Sequence, residues 1–203
     1  MIPQEVQAAV AEGAVVLDMR PPKPFTKEHV GGGVNIQFNR ADLAERAEMS
    51  LPMDARYIVH AEPDPIAKVA VKILQDAGFT VLGHLEGGLK AWKAAGLPTA
   101  ELPLIDVDHL KAKIDDYKVI DTRERFEFKY GHIPGSDVVE WTEPWEKFEA
   151  VDDSKPLALV CGDQVRSSYV ASIMQRAGKN ASLVFGGMVD WTERGYPLEK
   201  TKK

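Results

Sequence analysis

The chain has 203 residues, of which 44% are hydrophobic and 28% charged, with a formal net charge of −6 and a single cysteine. That length suits two soluble domains of about 100 residues each, and the acidic balance argues against a nucleic-acid or anionic-membrane partner. One cysteine excludes an internal disulfide and fits a reducing compartment, while no apolar run is long enough to span a bilayer.

Taken from the start, Met1-Ile2-Pro3-Gln4-Glu5 lacks the basic stretch and apolar core of a secretion signal, so a cytoplasmic protein is expected. Residues 3–11 read as a helix with Pro3 in its first turn, 15–18 and 57–59 as strands, and 66–77 as a helix ended by Gly78. A strand over 81–84 and a helix over 89–95 complete the first half. The second half repeats the order: helix 107–114, strands 118–121 and 157–160, helix 167–177, strand 182–185 and helix 188–194. The basic tail Lys200-Thr201-Lys202-Lys203 reads as a frayed, solvated end.

The two halves are copies. Val16-Leu17-Asp18-Met19-Arg20 returns as Val119-Ile120-Asp121-Thr122-Arg123, and Glu28-His29-Val30-Gly31-Gly32 as Gly131-His132-Ile133-Pro134-Gly135, both displaced by 103. Gln75-Asp76-Ala77-Gly78 matches Gln175-Arg176-Ala177-Gly178, and Gly87-Gly88 with Trp92, Gly96 and Pro98 matches Gly186-Gly187 with Trp191, Gly195 and Pro197. The join falls in Pro98-Thr99-Ala100-Glu101-Leu102-Pro103, so domains of 1–100 and 101–203 are expected. Strands alternating with helices imply an α/β fold with a mainly parallel sheet in each copy, which places ligands at the carboxyl ends of strands.

Cys161 stands at such an end. It follows the apolar run Leu157 to Val160 and opens the loop Cys161-Gly162-Asp163-Gln164-Val165-Arg166 ahead of a helix expected to begin at Ser167. A helix start offers unpaired N–H groups and a partial positive charge, both of which favour an anionic sulfur. The backbone of Gly162, Asp163, Gln164, Val165, Arg166 and Ser167 is therefore the expected cradle, with Arg166 a cation at its rim and Asp163 an anion that opposes a dianionic substrate.

D-x-R followed by G-H-I-P-G, the cysteine-headed loop, and the closing G-G-x-x-x-W-x-x-x-G-x-P together resemble the rhodanese family of sulfurtransferases in its two-domain form. The resemblance covers nearly the whole chain. It implies two tandem rhodanese-like domains, a degenerate first copy and a working second one, with Cys161 carrying a persulfide between a sulfane donor, thiosulfate or a persulfide, and a cyanide or thiol acceptor. Related phosphatases and arsenate reductases use one more loop residue, C-x5-R, whereas Cys161 to Arg166 is C-x4-R, a smaller bowl suited to a single sulfur. A carrier module of a larger sulfur-oxidation system, which accepts sulfur from a protein partner in a relay and passes it on without free turnover, is one alternative, and a phosphatase or arsenate reductase, which the loop length disfavours, is another. The sulfurtransferase and carrier readings need no metal or organic cofactor.

At the place aligned with Cys161 the first copy has His60, followed by Ala61-Glu62-Pro63-Asp64-Pro65, and the displacement falling from 101 here to 100 at Ala77 implies a loop one residue shorter. Two prolines remove N–H groups and two carboxylates repel anions, so this copy is expected to be structural; His60, Glu62 and Asp64 lack a fourth donor for a metal. Asp121 with Arg123 and Asp18 with Arg20 occur in both copies, as do His132 and His29, which argues for structural ion pairs and structural imidazoles rather than catalysis. Trp191 and Trp92 read as core aromatics. Trp141 and Trp145, which have no counterpart in the first copy, read either as a pocket wall over Cys161 or as packing surface.

Overall fold

The computed structural model describes residues 1–200 and divides into two compact units, Met1–Glu101 and Leu102–Lys203. All of the tail but Lys200 lies outside the described residues.

In the first unit α1 (Pro3–Ala11) leads to β1 (Val15–Asp18), then α2 (Pro22–Lys27), β2 (His29–Val30), β3 (Val34–Asn35), α3 (Leu43–Ser50), β4 (Arg56–His60), α4 (Asp64–Asp76), β5 (Thr80–His84), α5 (Gly88–Ala94) and β6 (Thr99–Ala100). The sheet runs β3-β1-β4-β5, all parallel, with β2 and β6 forming a separate antiparallel pair. Every residue of β1 is buried, as a strand covered on both faces requires. Val6, Val16, Val30, Ile58, Leu89 and Trp92 share one core cluster.

The second unit contains β7 (Leu104–Asp106), α6 (Val107–Ala112), a 3₁₀ turn over Ile114–Asp116, β8 (Lys118–Asp121), α7 (Arg125–Tyr130), β9 (Asp137–Val138), α8 (Trp145–Glu149), β10 (Leu157–Val160), α9 (Val165–Arg176), β11 (Ala181–Phe185) and α10 (Gly187–Glu193). Its sheet is β7-β11-β10-β8-β9, again wholly parallel. Val107, Val119, Ile133, Ala158, Met188 and Trp191 form the corresponding core. Among the described residues no helix is long and apolar enough to cross a membrane.

The short helices α2, α3, α7 and α8 carry no long apolar period and escape a pattern reading; packing, not propensity, holds them. Both α4 and α9 begin two residues earlier than their sequence patterns predict. Pairing in the sheets also corrects the alignment of the copies. Asp18 is in register with His60 and Asp121 with Val160; the N–H of Met19 donates to the His60 carbonyl as that of Thr122 does to Val160. His60 is thus the counterpart of Val160, and Ala61 that of Cys161. The displacement is 100 from strand through helix, so the first loop is not shorter; only its chemistry differs.

Candidate active site

Cys161 is the first residue beyond β10, and the chain reverses within three residues into α9. Gln164 sits in the left-handed region at φ 101°, a conformation that disfavours any side chain other than glycine's. Asp163 supports the turn by accepting the Val165 N–H at 3.2 Å. The strained residue turns its own N–H onto the sulfur, donating to Cys161 Sγ at 3.1 Å.

A second donor is a side chain. Ser167 Oγ lies 3.3 Å from Sγ and 3.3 Å from the Gln164 carbonyl, so one hydroxyl proton serves either acceptor. As a thiol, Cys161 donates in turn to Asp163 Oδ1 at 3.9 Å. Cys161 is fully buried. The cradle is therefore narrower than a ring of six N–H groups: the Val165 N–H is taken by Asp163, and the donors on the sulfur are one amide and one hydroxyl.

The backbone beneath the sulfur is pinned by α10. Met188 N–H donates to the Cys161 carbonyl at 2.8 Å and Val189 N–H to that of Gly162 at 3.2 Å. Such an approach needs glycine at 187, where φ is 57° and an added Cβ would fall 2.4 Å from the Cys161 oxygen and 2.7 Å from that of Gly162. This gives the Gly-Gly repeat a physical role in the second unit.

Arg166 lies in the first turn of α9, and its guanidinium is already engaged. Nη1 and Nη2 donate to the two carboxylate oxygens of Glu127, on α7, at 2.5 and 2.9 Å. The pair holds Glu127 below the usual carboxylate range and Arg166 above its ordinary value, each chiefly through these shared hydrogen bonds. Sequence reading passed over Glu127. Its one signal, two glutamates at i and i+3, is explained locally because Glu127 Oε2 also accepts the Glu124 N–H at 3.2 Å.

Asp121 and Arg123 form a buried bidentate pair, with Arg123 Nη2 also donating to the Gly131 carbonyl; Asp18, Arg20 and Glu28 repeat the arrangement. His132 donates through Nδ1 to Phe128 O and stacks on the Phe128 ring, as His29 does with Phe25. Trp191 and Trp92 are buried and donate to Pro197 O and Pro98 O. All three structural readings hold. Trp141 and Trp145 both meet Tyr169 on α9, the first edge-to-face and the second through its Nε1 at 2.8 Å from the phenol oxygen.

In the first unit Ala61 puts a methyl group where Cys161 has a sulfur, and Ala67 replaces Ser167. His60 is fully buried with neither ring nitrogen hydrogen-bonded among the described residues, 4.0 Å from Asp18 and 3.8 Å from Glu62.

An uncharacterized protein of Synechocystis is 30% identical over 100 residues, 49% of this chain and 54% of that protein, so the chain spans about half that relative's length. The thiosulfate sulfurtransferase GlpE of Ectopseudomonas mendocina is 29% identical over 93 residues, 45% of this chain and 82% of that protein. A crystal structure of a rhodanese-related protein from Thermoplasma volcanium, 31% identical, covers 49% of this chain and 99% of that one with a TM-score of 0.47. The family model described as Rhodanese-like domain matches twice, over residues 2–95 and 106–194. With nearly all of both units matched, the chain belongs to the rhodanese family, present as two tandem copies.

Proposed function

We propose that the second unit is a sulfurtransferase working through a persulfide on Cys161, and that the first unit carries no sulfur chemistry. The observation that supports this most is the pair of donors on one sulfur at a strand end, the Gln164 N–H at 3.1 Å and the Ser167 hydroxyl at 3.3 Å. Both stabilise negative charge on the resting thiolate and, one atom further out, on the persulfide.

In the first half-reaction Cys161–S⁻ attacks the outer sulfur of a donor RS–SH; the new S–S bond forms as the old one breaks, and RS⁻ leaves with the electron pair to give Cys161–S–SH. With thiosulfate the leaving group is sulfite and the enzyme form is Cys161–S–S⁻. In the second half-reaction cyanide or a thiolate attacks the outer sulfur, and Cys161–S⁻ departs as the leaving group. A reducing, cytoplasmic setting keeps the thiol free for this cycle.

Intact-mass spectrometry tests the reading. Incubation with thiosulfate or glutathione persulfide should add one sulfur to the wild type and none to Cys161→Ser, and cyanide should remove it with turnover. Labelling without turnover would favour the relay carrier; no labelling from either donor would overturn the proposal.

A further inference from the structure

Resting on the sulfurtransferase reading above, we propose that Glu127 is a specificity-determining residue: by occupying Arg166 it turns the Cys161 site away from dianionic donors such as thiosulfate and toward low-charge persulfides, RS–SH.

The charges around the sulfur carry the inference. Arg166 is the cation of the loop, and its Nη2 lies 3.7 Å from where a Cβ on Gly162 would stand, so it covers the loop itself. Glu127 takes both of its terminal nitrogens in a bidentate pair only a quarter exposed on each side. What remains unbalanced is Asp163, whose carboxylate is fixed by the Val165 N–H and lies 3.9 Å from Sγ. These three side chains sum to one negative charge; Glu124 adds its field to the same side, and Arg123, which opposes it, is itself neutralised by Asp121.

A thiosulfate approaching that rim brings two negative charges and must release sulfite, also a dianion, while the loop's one guanidinium, Arg166, is already held by Glu127. A neutral persulfide meets no such repulsion, and its leaving RS⁻ carries a single charge.

The test compares kcat/KM for thiosulfate and 2-hydroxyethyl persulfide, whose backbone carries no charge, with cyanide as acceptor, in the wild type, Glu127→Gln and Asp163→Asn. Glu127→Gln keeps a hydrogen-bond acceptor for Arg166 but removes the charge. Each variant should raise the thiosulfate-to-persulfide ratio about fivefold, the scale of one unit charge near a dianion across a solvated rim. Wild-type thiosulfate kcat/KM should climb with added salt and flatten in Glu127→Gln. A purely structural Glu127 would lower both donors in proportion and leave the ratio and the salt slope unmoved, and that result would overturn the inference while a Cys161 mass gain kept the parent reading intact. Absence of any mass gain would remove both. Should Glu127→Gln fail to fold, Glu127→Ala, at a half-buried helix position, frees Arg166 outright and must raise the same ratio, while Asp163→Asn, at an exposed position, reads the rim charge by itself.

Discussion

The two units lay the same strand and helix end to end and treat the junction in opposite ways. Where the second has Val160-Cys161-Gly162-Asp163-Gln164, the first has His60-Ala61-Glu62-Pro63-Asp64 at the same loop length. The second unit puts an apolar valine in its core and a thiol just beyond; the first puts an imidazole in the core and a methyl group beyond. The scaffold is thus indifferent to the chemistry at its strand end, and the site is made by a handful of local choices.

The largest contrast should appear at the paired glycines. Gly187→Ala forces a Cβ against two backbone carbonyl oxygens that cannot move without dragging Cys161, whereas Gly88→Ala meets His60 Cε1 at 3.0 Å and the mobile end of Glu62 at 3.2 Å. Both start from a left-handed φ of 57°, so they share a strain of about 1–2 kcal/mol. Gly187→Ala should lose about 3–4 kcal/mol in urea unfolding and most sulfur uptake. Gly88→Ala should lose only the shared part and keep uptake. Equal losses would mean that the glycines answer to a common fold requirement and not to the cysteine loop.

Next in size is His60. Its buried ring has no hydrogen-bond partner among the described residues, and it occupies the place that Val160 fills in the other core. His60→Val should stabilise the first unit by about 1–2 kcal/mol at pH 7. Burial pushes His60 below its ordinary value, more than Asp18, Glu62 and Asp64 lift it. As pH falls below about 6.5 the unfolded chain therefore takes up the proton first. The wild type should be fully stable above that pH and lose up to about 1.4 kcal/mol per pH unit below it, until the folded imidazole protonates as well. His60→Val should remove this slope, and an unchanged slope between pH 7 and 5 would show that another group controls it.

A smaller effect is expected at Gln164. Replacement by glycine relieves the left-handed strain but frees the loop, so stability should rise by no more than about 1 kcal/mol while sulfur uptake falls slightly as the N–H loses its fixed aim. Urea midpoints and labelling rates read both; a fall in stability would show that Gln164 makes contacts that outweigh its strain.

How much of this was visible before the structure depends on which interactions are local. The duplication, the parallel strands and the position of Cys161 follow from apolar runs and repeated motifs, because each depends on neighbours in the chain. The structural roles of Asp121 with Arg123 and of His132 were legible for a different reason, since both copies kept them. Glu127 was not legible: it lies 39 residues from Arg166, and only the packing of α7 against the loop brings them together. The Ser167 hydroxyl was hidden inside an expected backbone role. The alignment of His60 with Cys161 was wrong by one residue because a one-residue slip is invisible in a loop and becomes plain only when strand register is known.

That one-residue correction makes the last prediction sharper, although its expected effect is the smallest. His60→Cys would bury a thiol in a core; the placement that mimics Cys161 is Ala61→Cys. In a Cys161→Ser background this variant should still take up less than about 1% of the wild-type sulfur, because Pro63 flanks the turn, the carboxylates of Glu62 and Asp64 stand beside the new thiol, and Ala67 offers no hydroxyl to replace Ser167. Since strand and helix keep a constant displacement of 100, residues 61–67 can be exchanged one for one with Cys-Gly-Asp-Gln-Val-Arg-Ser. The exchanged chain should gain measurable labelling where the point variant has none. Were Ala61→Cys alone to label as fast as Cys161, the strand end would suffice for the chemistry, and the amide and hydroxyl on the sulfur would lose the role assigned to them.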